Sequence, residues 1–73
     1  MAQTTVAFQA PSRLVALDLA HRLRVRGWTV EVGRPAHSRD GRIVRVTVPP
    51  TLRDELERIA ASTSPDVVEV PEV

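Results

Sequence analysis

The seven residues RIVRVTV, 42–48, closed by Pro49-Pro50, constrain the fold more than any other part of the chain. Val44, Val46 and Val48 fall on one side and Ile43, Arg45 and Thr47 on the other, the period-two pattern of a half-buried strand. Such a strand needs apolar cover on one side and water on the other, the habit of an antiparallel sheet with one solvated face. The prolines then end it, because proline has no N–H to give to a ladder.

Three further segments read as strands. TTVAFQA, 4–10, sets Val6 and Phe8 against Thr5, Ala7 and Gln9, and Pro11 ends it. WTVEVG, 28–33, sets Trp28, Val30 and Val32 inward and Thr29 and Glu31 outward. DVVEV, 66–70, offers a short last strand with Val68 and Val70 inward and Val67 and Glu69 outward. Between the second and third strands, RPAHSRDGR, 34–42, has the composition of a hairpin connection longer than a two-residue turn.

Two segments carry the helical period instead. Residues 12–26 contain no Gly or Pro, Ser12 suits an N-cap and Gly27 stands where a C′ residue belongs. Val15, Ala16, Leu19, Ala20 and Leu23 share one face at about 100° per residue. After the two prolines, Thr51 three residues before Asp54 suits a capping box, and Asp54 and Glu55 suit a first helical turn. Leu52, Leu56, Ile59 and Ala60 form the stripe of this second helix, which STSP, 62–65, should end. The order βαββαβ with right-handed crossovers predicts an α+β, ferredoxin-like split βαβ domain over residues 1–73. Its four-stranded antiparallel sheet has the order 4-1-3-2, with the two helices on one face.

The composition closes several routes to function. Of the 73 residues 42% are hydrophobic and 26% charged, as in a folded domain, and one of this size often pairs with a copy or a partner. The absence of cysteine removes disulfides, thiolate chemistry and cysteine zinc sites. Ten basic and nine acidic residues leave a net charge of +1, too little to steer a polyanion. All ten basic residues are arginine, as a GC-rich bacterial genome would encode. The opening MAQTTVAFQAPSR has neither a basic leader nor a long apolar run, and no segment approaches the roughly 20 apolar residues of a membrane span. A cytoplasmic chain without a membrane partner is expected.

No catalytic constellation assembles. His21 and His37 lack an evident carboxylate partner, Ser12, Ser38, Ser62 and Ser64 stand at caps or loops, and the three glycines are isolated, so no cofactor, metal or catalytic triad is expected. In QAPSR, 9–13, where acylphosphatases of this fold cradle a phosphate, Arg13 is the sole candidate anion ligand.

Binding surfaces remain. Leu14, Leu17, His21 and Val25 lie roughly opposite the core face of the first helix and form a candidate partner-binding strip, for a homodimer or a protein partner. Strands two and four offer free edges as a second route to pairing. On the open sheet face Gln9, Glu31, Arg45 and Glu69 are candidates for a small-molecule ligand, and Glu31 and Arg45 are placed to pair across neighbouring strands. Arg34, His37, Arg39 and Arg42 form a candidate anion-binding group, offset locally by Asp40 alone. Both aromatic residues, Phe8 and Trp28, fall on the inward register, so the RRM mode of stacking RNA bases on the open face is not expected. In HRLRVRGW, 21–28, the alternating Arg22, Arg24 and Arg26 would diverge on a helix, with Asp18 placed to pair with Arg22.

Residues 6–70 resemble ACT regulatory domains in APSRL after the first strand, a helix ending LRVRGW and the closing PDVVEV; Ser12 stands where those domains carry a glycine. That resemblance implies a non-catalytic regulatory module acting by self-association and by binding a small molecule or a protein. ALDLAHRLRVRGW and GRIVRVTV are also similar to SPOR domains, which bind peptidoglycan glycan on the open sheet face. The alternative function is accordingly glycan or nucleic-acid binding by the open face and the hairpin arginines.

Overall fold

The computed structural model describes residues 3–34 and 41–71. The strands are β1 (Thr4–Ala10), β2 (Thr29–Gly33), β3 (Arg42–Val48) and β4 (Val68–Val70); the helices are α1 (Arg13–Val25) and α2 (Arg53–Thr63). The sheet is antiparallel throughout, in the order β2-β3-β1-β4, the expected order read from its other edge. No helix among the described residues is long and apolar enough to cross a membrane.

The valine row of β3 organises the core. Val44, Val46 and Val48 are fully buried, with Phe8 and Val6 of β1 and Val32 and Val30 of β2 in register beside Val44 and Val46. Ala16, Leu19, Ala20 and Leu23 of α1 and Leu56 and Ala60 of α2 close over that face, with Val15, Trp28, Leu52 and Ile59 packed at its margin. The helical faces expected from the period are thus the ones that meet the sheet.

The ends of α1 explain why it stops where it does. Ser12, with extended backbone, accepts a hydrogen bond on Oγ from the N–H of Val15 at 3.3 Å. At the other end the N–H of Trp28 bonds the Leu23 carbonyl and that of Gly27 bonds the Arg24 carbonyl, the paired bonds of a Schellman closure. Gly27 has φ +84°, a conformation open to glycine at little cost. The closure leaves Trp28 just ahead of β2, where it packs on the core without joining the ladder.

Two expectations need correction. Thr51 does not cap α2: Pro50–Leu52 form a 3₁₀ turn, and Leu52 stands at the N-cap position with no side-chain cap bond. Proline at the start of that turn fixes the entry, and the need to pack Leu52 on the core carries the helix boundary past Thr51. Asp54 and Glu55 do occupy the first turn of α2.

The second correction is the face of β4. Phe8 pairs with Glu69, so Glu69 lies on the helix side, while Val68 and Val70 pair with Gln9 and Ala7 on the open side. The short strand takes this phase with Val67 packed against the core and the Glu69 carboxylate reaching Arg53 Nη2 of α2 at 2.7 Å. Valine at 67, 68 and 70 leaves the hydrophobic pattern nearly indifferent between phases.

The register and the helix stop are both measurable by urea denaturation. Val67→Asp should destabilise the domain by roughly 1–3 kcal/mol, and Val68→Asp, at a position 52% exposed, by about 0.5 kcal/mol or less. The opposite ranking would mean that Val68 faces the core. Gly27→Ala, with no atom within 4 Å of the added Cβ, should cost about 1–2 kcal/mol from backbone conformation alone.

Candidate functional site

The core contains no buried polar or charged residue among the described residues, so any functional chemistry belongs to the surface. No group of three or more potential metal ligands occurs among them. Three surfaces remain: the outer side of α1, the open face of the sheet and the end of the sheet beside the start of α1.

On α1 the residues of the strip come together as the helical period requires. Leu14 is 79% exposed, Leu17 42% and Val25 72%, with His21 exposed between them. None is buried against α2. Beside the strip, a groove of about 770 Å³ runs between the helices, with His21 and Val25 on one wall and Arg58 and Ile59 on the other. Its end is closed by Arg26, whose guanidinium pairs with Glu55 of α2 and lies 5.9 Å from the centre of the Trp28 ring.

The other arginines at this end of α1 are tied into the structure. Arg22 Nε meets Asp18 Oδ1 at 3.4 Å, the expected i,i+4 pair, and Arg24 Nη2 donates to the Val30 carbonyl at 3.1 Å. The alternation in HRLRVRGW therefore makes a junction of three differently directed contacts, with no shared basic face.

The open sheet face is arranged in rows by the strand register. Thr5, Thr47 and Thr29 form one row, with a 3.2 Å hydroxyl contact between Thr5 and Thr47. Val70, Ala7, Arg45 and Glu31 form the next, and Val68, Gln9, Ile43 and Gly33 the third. Ala7 is only 2% exposed although it points to the open side, because its small side chain sits on a central strand between Val70 and Arg45. The Arg45 guanidinium leans over Gly33, where an added Cβ would stand 3.2 Å from Nη1.

Of the expected open-face group, Gln9, Glu31 and Arg45 share that face. Glu69 does not, and its part in an open-face ligand site is withdrawn: its carboxylate joins Arg53, which also approaches Glu57 at 3.6 Å. Phe8 is buried and Trp28 half-buried in the core, so neither offers a stacking surface on the open face.

The hairpin group is only partly within view. His37 and Arg39, with Asp40, lie outside the described residues. Arg34 and Arg42 line a recess of about 450 Å³ with Val32, Gly33 and Arg13. Arg13 arrives from the first position of α1, a convergence that reading each loop by itself missed. The strand register held the signal: Ala10 pairs with Arg42, so the start of α1 must lie beside the β2–β3 end of the sheet.

No protein-family model matches the chain, and no curated protein matches it.

The contact between α1, α2 and Trp28 can be tested through fluorescence, since Trp28 is the single tryptophan. Arg26→Ala should shift the emission maximum and lower stability by about 1 kcal/mol or less, the scale of a half-exposed ion pair with one aromatic contact. Unchanged emission would place the guanidinium elsewhere.

Proposed function

We propose that the chain is a non-catalytic, cytoplasmic regulatory module of ferredoxin-like split βαβ fold, acting by association with a second copy of itself and by binding a small molecule or a protein partner. The observation that carries this reading is the exposure of Leu14, Leu17 and Val25 on a helix whose opposite face already supplies Ala16, Leu19, Ala20 and Leu23 to the core. A helix with one solvent face keeps that face polar, and a second apolar strip is the mark of a surface that another molecule covers.

The strip suits a twofold arrangement of two α1 helices. Laid antiparallel, Leu14 stands opposite Val25 of the second copy, Leu17 opposite the aliphatic stem of Arg22, and Asp18 opposite His21. The two halves of such an interface are identical, and the acidic residue of each copy meets the basic side of the other. The span from Leu14 to Val25 is about 16 Å at 1.5 Å per residue. The α1–α2 groove beside it widens the available area with Val25 and Ile59. Sheet extension through β4 is the poorer route, since that edge strand has only three residues.

Light scattering from about 10 µM to about 1 mM reads the outcome directly. The mass should rise to that of a dimer, and the double variant Leu14→Asp, Val25→Asp should remain monomeric with a melting temperature within a few degrees of the parent. A parent chain that stays monomeric over the whole range would defeat the association.

A further inference from the structure

The recess beside the start of α1 gives the small-molecule part of that reading a chemical class, and it does not depend on self-association. We infer that Arg13, Arg34 and Arg42 form one binding site for a small phosphate-type oxyanion. The placement follows from the strands. Gly33 pairs with Ile43, so the next positions of the two chains, Arg34 and Arg42, face one another at the end of the β2–β3 ladder. Arg42 shares its phase with Val44, and Arg34 with Val32, which sets both towards the helix side. β1 ends beside Arg42 at Ala10, and the chain then turns through Pro11 and Ser12 to present Arg13 at the same place. Three separate elements thus deliver a guanidinium to one recess.

The charges are concentrated far beyond the molecule's average. The whole chain carries a net charge of +1, yet three of the five described residues lining this recess are arginines and none of the described ones is acidic. Among the described residues, the guanidinium groups of Arg13 and Arg34 have no hydrogen-bond or ion-pair partner. Arg42 Nη1 donates to the Gly41 carbonyl at 2.8 Å, which holds that side chain in a defined direction. The first turn of α1 contains no acidic residue to answer its positive end. Ser12 supplies acceptors to the N–H groups of Val15 and Ala16, leaving those of Arg13 and Leu14 without intrahelical partners.

An arginine at a helix N-terminus is normally disfavoured, because it opposes the dipole; an anion held between them reverses the sign of that interaction. Guanidinium forks match the tetrahedral oxygens of phosphate in pairs, and three of them surround an oxyanion better than a single carboxylate. Val32 and Gly33 also line it. The volume of about 450 Å³ admits an inorganic phosphate or diphosphate, or the phosphorylated end of a small metabolite. A nucleic-acid backbone would need a longer positive surface than these residues supply, and on the open face, the other side of the sheet, Glu31 accompanies Arg45.

The test is a titration of the ¹⁵N-labelled full chain with sodium pyrophosphate, with sodium chloride at matched ionic strength as control, followed by amide and arginine Nε signals. Saturable shifts at Arg13, Leu14, Gly33 and Arg34, absent with chloride, are expected. Arg13→Ala and Arg34→Ala should each weaken binding at least tenfold while leaving the remaining amide spectrum and the melting temperature close to those of the parent. Arg58→Ala, at the α1–α2 groove, should leave binding unchanged. Non-saturable shifts, equal shifts with chloride, or equal affinity in the arginine variants would overturn the site. A single-stranded oligonucleotide that binds tenfold more tightly than pyrophosphate and depends on Arg45 would overturn it in favour of nucleic acid. Because binding is also read in the Val25→Asp background, which disrupts the strip at the end of α1 away from the recess, its failure is separable from a failure to dimerise.

Discussion

Everything else in the domain depends on the burial of Val44, Val46 and Val48. β3 is paired on both sides, so its inward row can be covered only from above, and both helices are drawn onto the same face to do it. The cover is thin: α1 contributes Ala16 and Ala20 among its buried residues, and α2 contributes Ala60 beside Leu56. Small side chains let each helix lie close to the sheet, but they limit the apolar area that 73 residues can withdraw from water. A core of this size has no room to bury a charged group, which must be compensated by several hydrogen bonds. The absence of buried polar residues among those described is therefore a condition of stability as much as a clue to function.

That condition sends every described arginine to the surface or its margin, where two uses can be distinguished. Arg22, Arg24, Arg26 and Arg53 are engaged by partners within the chain: Arg22 pairs with Asp18 inside α1, while Arg24, Arg26 and Arg53 join α1 to β2, α1 to α2, and α2 to β4. The three ion pairs are solvent-exposed and contribute little to stability, so their main effect, with the part-buried bond from Arg24 to the Val30 carbonyl, is to fix the directions of side chains and helix ends. Arg13 and Arg34 are placed where no acidic residue among the described lining residues answers them. Electrostatics thus separates joints from candidate sites more clearly than counting charges along the sequence does.

The same distinction explains which features were legible in the sequence. Strands β1, β2 and β3 and both core-facing helical stripes follow from periodicity, because each has enough residues for one phase to bury far more apolar area than the other. Gly27 and Ser12 are legible as local chemistry, since a Schellman closure and an N-cap need those residue types. The phase of β4 is not, because Val67 gives the helix side a valine to set against Val68 and Val70, and the distant Arg53 takes the carboxylate of Glu69. Thr51 was misleading for a related reason. Its hydroxyl offered a small local gain, while seating Leu52 on the core required a 3₁₀ turn first. The strip on α1 needed only helical geometry, whereas the meeting of Arg13 with Arg34 and Arg42 needed the sheet order and register together.

α1 consequently serves three surfaces at once, and its rigidity relates them. One face is fixed to the sheet by Leu19 and Leu23, so the helix cannot rotate to hide Leu14, Leu17 and Val25 without uncovering the core. Its first residue holds Arg13 at the basic recess, and its cap residue Arg26 closes the groove against Glu55 and Trp28. Sliding α1 by one turn, about 5.4 Å, would break the Ser12 cap and the Gly27 closure together. Coupling between the recess and the strip through a sliding helix would therefore have to overcome both ends of α1. A bound anion and a second copy are better accommodated as independent occupants of a fixed framework, with any interaction between them carried by charge.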